Sequence, residues 1–215
     1  MELMIAMIIT AVILALVASF FIQVTKVTSS SVQTGNSSAV ASNAMYEIAN
    51  VVHQATTIPV SGGAPLYAIS SATASSLVVY SYVDVATSAS PAPTRVTFSV
   101  TPAIGNSNAS LVETRCVATA SGTFWTFTSC ASTLTRNIGG TIIAPTAGQN
   151  SLFTYLDSTG NTVALVSGSV PTSSLANIAS VTVSVNVQAA GSATAPVYLT
   201  SNVGMPNLGL QIATP

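Results

Sequence analysis

The sequence predicts an α+β protein, with one long hydrophobic N-terminal α-helix followed by an antiparallel β-rich globular head. Three observations carry that prediction. A single uncharged apolar run opens the chain, Leu3 to Val24. Beyond Pro59 the pattern changes to period two in β-forming residues, broken by Gly, Pro and Asn. Only 4% of the 215 residues are charged while 49% are hydrophobic, against about a quarter charged in an ordinary domain. Ser and Thr make up more than a quarter of the chain. A surface of hydroxyls and amides stays soluble through hydrogen bonds but has little charge repulsion to hold copies apart. It suits a protein that packs against itself. With a formal net charge of −1, there is no polybasic patch for nucleic-acid phosphates or anionic lipid.

The opening segment, LMIAMIITAVILALVASFFIQV, has Thr10, Ser19 and Gln23 as its polar side chains. About 22 residues at 1.5 Å each span roughly 33 Å, enough for a bilayer core. A cleaved signal peptide would have a basic start and a shorter apolar core, whereas Glu2 stands where a base belongs and Lys26 sits at the far end. A carboxylate at the mouth of an apolar helix is costly in lipid unless it is paired.

Val40, Ala44, Ile48, Val51 or Val52, and Ala55 then recur at helical spacing. A second helical half is expected from about Ser37 to Thr56, lying against the head and ended ahead of Pro59. Between the halves, TSSSVQTGNSS is poor helix material. Gly35 is a candidate hinge there, with a plain linker as the alternative. This divides the chain into residues 1–57, with a membrane or filament-core half (1–25) and a neck and head-packing half (26–57), and a head of residues 58–215.

In the head, the expected strands are Leu66–Ile69, Ser76–Asp84, Thr94–Thr101, Ser110–Thr119, Thr123–Cys130, Leu152–Leu156, Thr162–Val166, Val181–Val187 and Val197–Ser201. Turns are expected at Ser61–Gly63, Pro91–Pro93, Gly105–Asn106 and Gly139–Gly140, with a loop over 139–150. The run from Asp157 to Asn161 reads as a hairpin turn with Gly160 available for positive φ. Cys116 and Cys130 form an even pair in a β-rich, hydroxyl-rich context, which favours a disulfide made outside the cytosol; two buried free thiols are the alternative. If the two face each other across a hairpin, its centre falls at Thr123, beside Gly122.

No catalytic constellation emerges. His53 is the one histidine and Lys26 the one lysine, and the five carboxylates are scattered. No nucleophile motif, phosphate-cradling loop, metal set or cofactor site is expected. Arg95, Arg115 and Arg136 read as head salt bridges or interface contacts.

Met1-Glu2-Leu3-Met4-Ile5-Ala6-Met7, leading into the apolar run, resembles the mature N-terminus of type IV pilins and type II secretion pseudopilins, where a glutamate precedes about twenty apolar residues. The resemblance covers about 25 residues. In the family that glutamate is the fifth mature residue; here it is the second. The resemblance implies that Glu2 pairs with the N-terminal ammonium of a neighbouring copy. It also implies that Met1, Leu3, Ile5, Ile9, Ile13, Leu16 and Phe20 pack in a filament core. The implied protein is a non-enzymatic structural subunit that waits in the inner (cytoplasmic) membrane. Pilus assembly machinery then polymerises it into an extracellular helical filament of identical copies, with no nucleic acid along the shaft. A looser similarity in the last third, from Leu134 through Phe153–Asp157 to Leu208, is to PilW/GspJ-type minor pilins. It implies the alternative of a tip subunit that primes filament or secretion assembly. A single-span surface adhesion module is the other alternative.

Overall fold

The computed structural model describes residues 2–60, 65–83, 91–101, 109–143, 151–188 and 196–209. Met1, the turns at Ser61–Gly63 and Gly105–Asn106, and the end of the strand expected to reach Asp84 lie outside them. The plan is the α+β one expected: a long N-terminal apolar helix and an antiparallel β head carrying a disulfide.

The helix, α1, runs unbroken from Glu2 to His53, so TSSSVQTGNSS is not a linker. Two hydroxyls, one just before this run and one inside it, turn back onto carbonyls of the helix. Thr25 Oγ1 donates to Phe21 O at 2.9 Å and Thr34 Oγ1 to Ser30 O at 3.0 Å, so they do not compete for other backbone groups. Gly35 is helical, and no atom would lie within 4 Å of a Cβ added there. Burial begins only at Ser37 and continues through Ala41, Ala44, Ile48, Val51 and Val52. This is the expected stripe, except that Val40 stands at its edge. Past His53, the backbone leaves the helix for the sheet, Thr56 N donating to Tyr80 O at 2.9 Å.

The head strands are β1 (Ile69–Ala72), β2 (Ser76–Ser81), β3 (Thr94–Thr101), β4 (Ala109–Val117), β5 (Thr119–Ser121), β6 (Phe124–Thr126), β7 (Ser132–Ile142), β8 (Phe153–Asp157), β9 (Ile178–Val187) and β10 (Val197–Gly204). The main sheet is ordered β1-β2-β3-β4-β7-β9-β10, with β8 also on β9, and every pairing is antiparallel. β5 and β6 form a separate two-stranded ribbon. The alternation of β9 puts Val181, Val183, Val185 and Val187 inside. With Phe98, Leu111, Phe153 and Tyr155 they meet the helix stripe in one core. Tyr155 reaches past that core, its hydroxyl donating to Thr73 O at 2.7 Å, and burial pushes its pKa up.

Four expectations about the head change. β1 lies three residues later than expected, and Leu66 makes only an isolated bridge to Ile58. Thr162–Val166 is not a strand: it makes isolated bridges to Leu156 and Ser169 around a tight turn with Ser167 and Gly168 at positive φ. Only Phe124–Thr126 of Thr123–Cys130 pairs as a strand. Finally, Gly139–Gly140 is no turn between elements but part of β7. Three β7 residues, 138–140, stand against the single Leu111 of β4, and the Asn137 side chain accepts from the N–H groups of Gly139 and Gly140 at 3.2 and 2.9 Å. The glycines fit because a Cβ on Gly139 would lie 2.5 Å from Leu111 Cβ. One on Gly140, at φ +55°, would lie 3.2 Å from Val40 of α1. The bulge lets helix and sheet approach.

Candidate assembly surface and the charged clasp of the head

Glu2 to Ser29 of α1 are exposed all round. Leu3 is 72% and Phe20 70% exposed, and Ile5, Ile9, Ile13 and Leu16 are exposed with them. Ile5, Ile9, Ile13, Leu16 and Phe20 follow at spacings of three or four and share one face, but Met4, Met7, Leu14 and Phe21 are exposed on others, so the apolar surface wraps the helix. None of them touches the head core. A soluble helix in isolation presents apolar groups on one side at most, because exposed apolar area is unfavourable in water. Among the described residues this is the one helix long and apolar enough to cross a membrane, a property that anchors and signal sequences share. Thr10 Oγ1 is turned onto Ala6 O at 2.8 Å. That leaves Glu2 and Lys26 as the charges of this surface, neither in an ion pair among the described residues.

The second half of α1 is held by charge as well as by packing. Glu47 reaches the sheet and accepts at Oε1 from Arg115 Nη2 at 2.6 Å and from Arg136 Nη2 at 2.5 Å. Glu113, fully buried on β4, takes the other side of both guanidiniums: Arg115 Nε donates to its Oε1 at 2.6 Å and Arg136 Nε to its Oε2 at 2.5 Å. Glu47–Arg115–Glu113–Arg136 is therefore a closed, electrically neutral ring joining α1, β4 and β7. Two planar forks suit it, since each guanidinium can address two carboxylates at once. The sequence left Arg115 and Arg136 as head salt bridges or interface contacts, with no partners named; both form salt bridges within the head. Strand alternation puts Glu113, Arg115 and Phe98 on one face, but only the β4–β7 register, Glu113 opposite Arg136, closes the ring.

Arg95 instead stacks on Phe127, 5.9 Å from the ring centre, and Phe127 packs on Tyr80. Cys116 and Cys130 are bonded, with Cα atoms 5.2 Å apart. Their geometry is not that of facing hairpin residues. Thr119 pairs with Thr126 and Ser121 with Phe124, so the turn centres between Gly122 and Thr123, one register step from the expected one. Cys116 itself lies opposite Thr133 of β7. The bond thus ties the chain beyond the ribbon back to β4.

The Asp157–Asn161 turn forms as expected, with Gly160 at φ +85°. Asp157 Oδ1 accepts from the Thr159 hydroxyl at 2.7 Å and from the Thr159 and Asn161 N–H groups at 2.9 Å. These bonds hold its carboxyl below the usual carboxylate range, the Thr159 side chain contributing most. No group of three or more His, Cys, Asp or Glu side chains among the described residues could hold a metal ion. His53 is exposed at the end of α1. Compared with known protein families, curated proteins and solved structures, the chain matches none.

Proposed function

We propose that this chain is a structural, non-enzymatic subunit of a type IV pilus-like extracellular filament, polymerising through α1. One observation carries the reading: a single continuous helix whose first 28 residues present apolar side chains on every side while its last turns are built into a β head. An apolar rod of that kind needs an apolar surrounding, and lipid and copies of the same rod are the two that serve. In this reading the subunit waits in the cytoplasmic membrane, and assembly machinery transfers it from lipid to filament. The head then faces outward with its near-chargeless surface against its neighbours. The N-terminal resemblance to type IV pilins supports the same assignment.

A minor subunit that primes filament or secretion assembly is the second reading, favoured by the similarity of the last third to tip pilins. Sheared surface material, imaged by electron microscopy and identified by mass spectrometry including the intact N-terminus, separates the two. Filaments composed mainly of this chain establish the repeating subunit. Traces of it in filaments made of another protein establish the minor one. Retention in membranes with no filament leaves a single-span surface module.

A further inference from the structure

The chain has nine charged side chains, eight of them, all but Asp84, among the described residues, and the fold leaves few of those eight for a neighbour. Glu47, Glu113, Arg115 and Arg136 are consumed in the neutral ring. Arg95 lies over Phe127 and Asp157 caps its own turn. Among the described side chains, the exposed surface of α1 keeps one carboxylate, Glu2, and one side-chain ammonium, Lys26, at opposite ends of an apolar stretch. Once that surface is covered by other apolar helices, each charge loses its water. An isolated buried charge is expensive, whereas an opposite pair is tolerated.

We propose that Glu2 of one copy pairs with Lys26 of another, and that this pair sets the axial stagger between parallel α1 helices. The proposal rests on the filament reading and names the partner of its assembly surface. Twenty-four residues of helix separate the two groups, a rise of about 36 Å and a rotation of about 240°. The rise excludes a bond within one copy, and it fixes the offset at which parallel neighbours satisfy both charges. The rotation decides the kind of contact. A closed antiparallel dimer could join both pairs in one seam only if Glu2 and Lys26 shared a face, and they point about 120° apart. Each copy therefore offers its carboxylate to one neighbour and its ammonium to a different one. That is a heterologous contact, which propagates instead of closing.

The test uses the full chain in the cells that make it. Glu2→Lys and Lys26→Glu are each expected to lower the yield of surface filaments by about tenfold or more. The double exchange should restore at least half of the wild-type yield. In parallel, wild-type filaments are treated with a carbodiimide, which joins a carboxylate to an amine in direct contact. Peptide mapping should then find Glu2 linked to Lys26, a link that can only be between copies. Wild-type assembly by Lys26→Glu, a double variant no better than Glu2→Lys, or Glu2 linked to the α-amine instead of Lys26 overturns the pairing while the filament reading stands. A wild-type chain that makes no filaments overturns both.

Discussion

The two halves of α1 are one helix in two different surroundings. From Glu2 to Ser29 every residue through the apolar stretch is exposed, and hydrogen bonding is internal to the helix. From Ser37 to Val52 a stripe of small and β-branched side chains is buried, and Glu47 is tied to two arginines of the sheet. Nothing in the backbone marks the change. What differs is the side-chain volume on one face: Ala41 and Ala44 let the helix lie close to the sheet, and Gly140 meets Val40 where a side chain would collide. Continuity of secondary structure is thus a poor guide to where a domain ends, and burial is the better one.

The largest expected effect sharpens that contrast through its carboxylates. Glu113→Ala leaves two guanidiniums around an empty site and should cost the head about 3–5 kcal/mol. Glu2→Ala should leave head stability unchanged, both read by urea unfolding of the full chain in detergent. Equal shifts would break the distinction between the halves.

Side-chain truncation draws the same line. Ile48→Ala removes fully buried methyl groups and should cost about 2–5 kcal/mol. Ile13→Ala should change head unfolding by less than about 0.5 kcal/mol.

Within the head, reducing the Cys116–Cys130 bond frees a short loop and should lower stability by about 3 kcal/mol, seen as a lower urea midpoint in dithiothreitol. The two glycine sites respond with opposite sign. Gly139→Ala drives a Cβ against Leu111 and should cost about 1–3 kcal/mol. Gly35→Ala meets open space and should favour the helix by up to about 1 kcal/mol, measured as slower amide exchange around residue 35. Faster exchange there in the wild type than in either flanking segment would identify Gly35 as the place where the halves can be bent.

The smallest effect is at Asp157. Its folded pKa lies below the unfolded one, so its stabilisation is complete above the ordinary carboxylate pKa and fades as the pH falls through the folded value. The protection of the Asn161 amide, taken relative to its intrinsic exchange rate at each pH, should fall in acid in the wild type and become insensitive to pH over that range in Asp157→Ala.

Local pattern made much of this legible. The apolar run, the stripe from Ala44 to Ala55, the alternating valines of β9 and the Asp157 turn each follow from residues near one another in the chain. Where reading failed, the deciding contact was distant. Gly139–Gly140 carries the composition of a turn, and its place as a bulge shows only against Leu111 of β4 and Val40 of α1, both distant in the chain. Ser132–Asn137 is exposed and polar but for Leu134, so it has no buried alternation to announce β7; its pairing with β4 makes it a strand. The hydroxyl-rich run around Thr34 reads as helix-breaking by composition, yet it is helical, flanked by residues that continue α1 on either side. Within the ring only the Glu113–Arg115 contact is local, two residues apart on β4; Glu47 and Arg136 have no partner until α1 and β7 meet that strand.

The core draws on both ends of the chain. Ile48 and Val203 share it, and the Asn207 side chain donates to the His53 carbonyl at 3.2 Å. On a ribosome adding roughly 5–20 residues each second, about 155 residues of synthesis, some 8–30 s, separate the two halves of that core. Until β10 emerges the cover over the head-facing stripe of α1 is incomplete, while the apolar half ahead of it has already been made. The apolar half of α1 is thus synthesised well before the last strand the head core needs, and that core closes only once β10 has emerged.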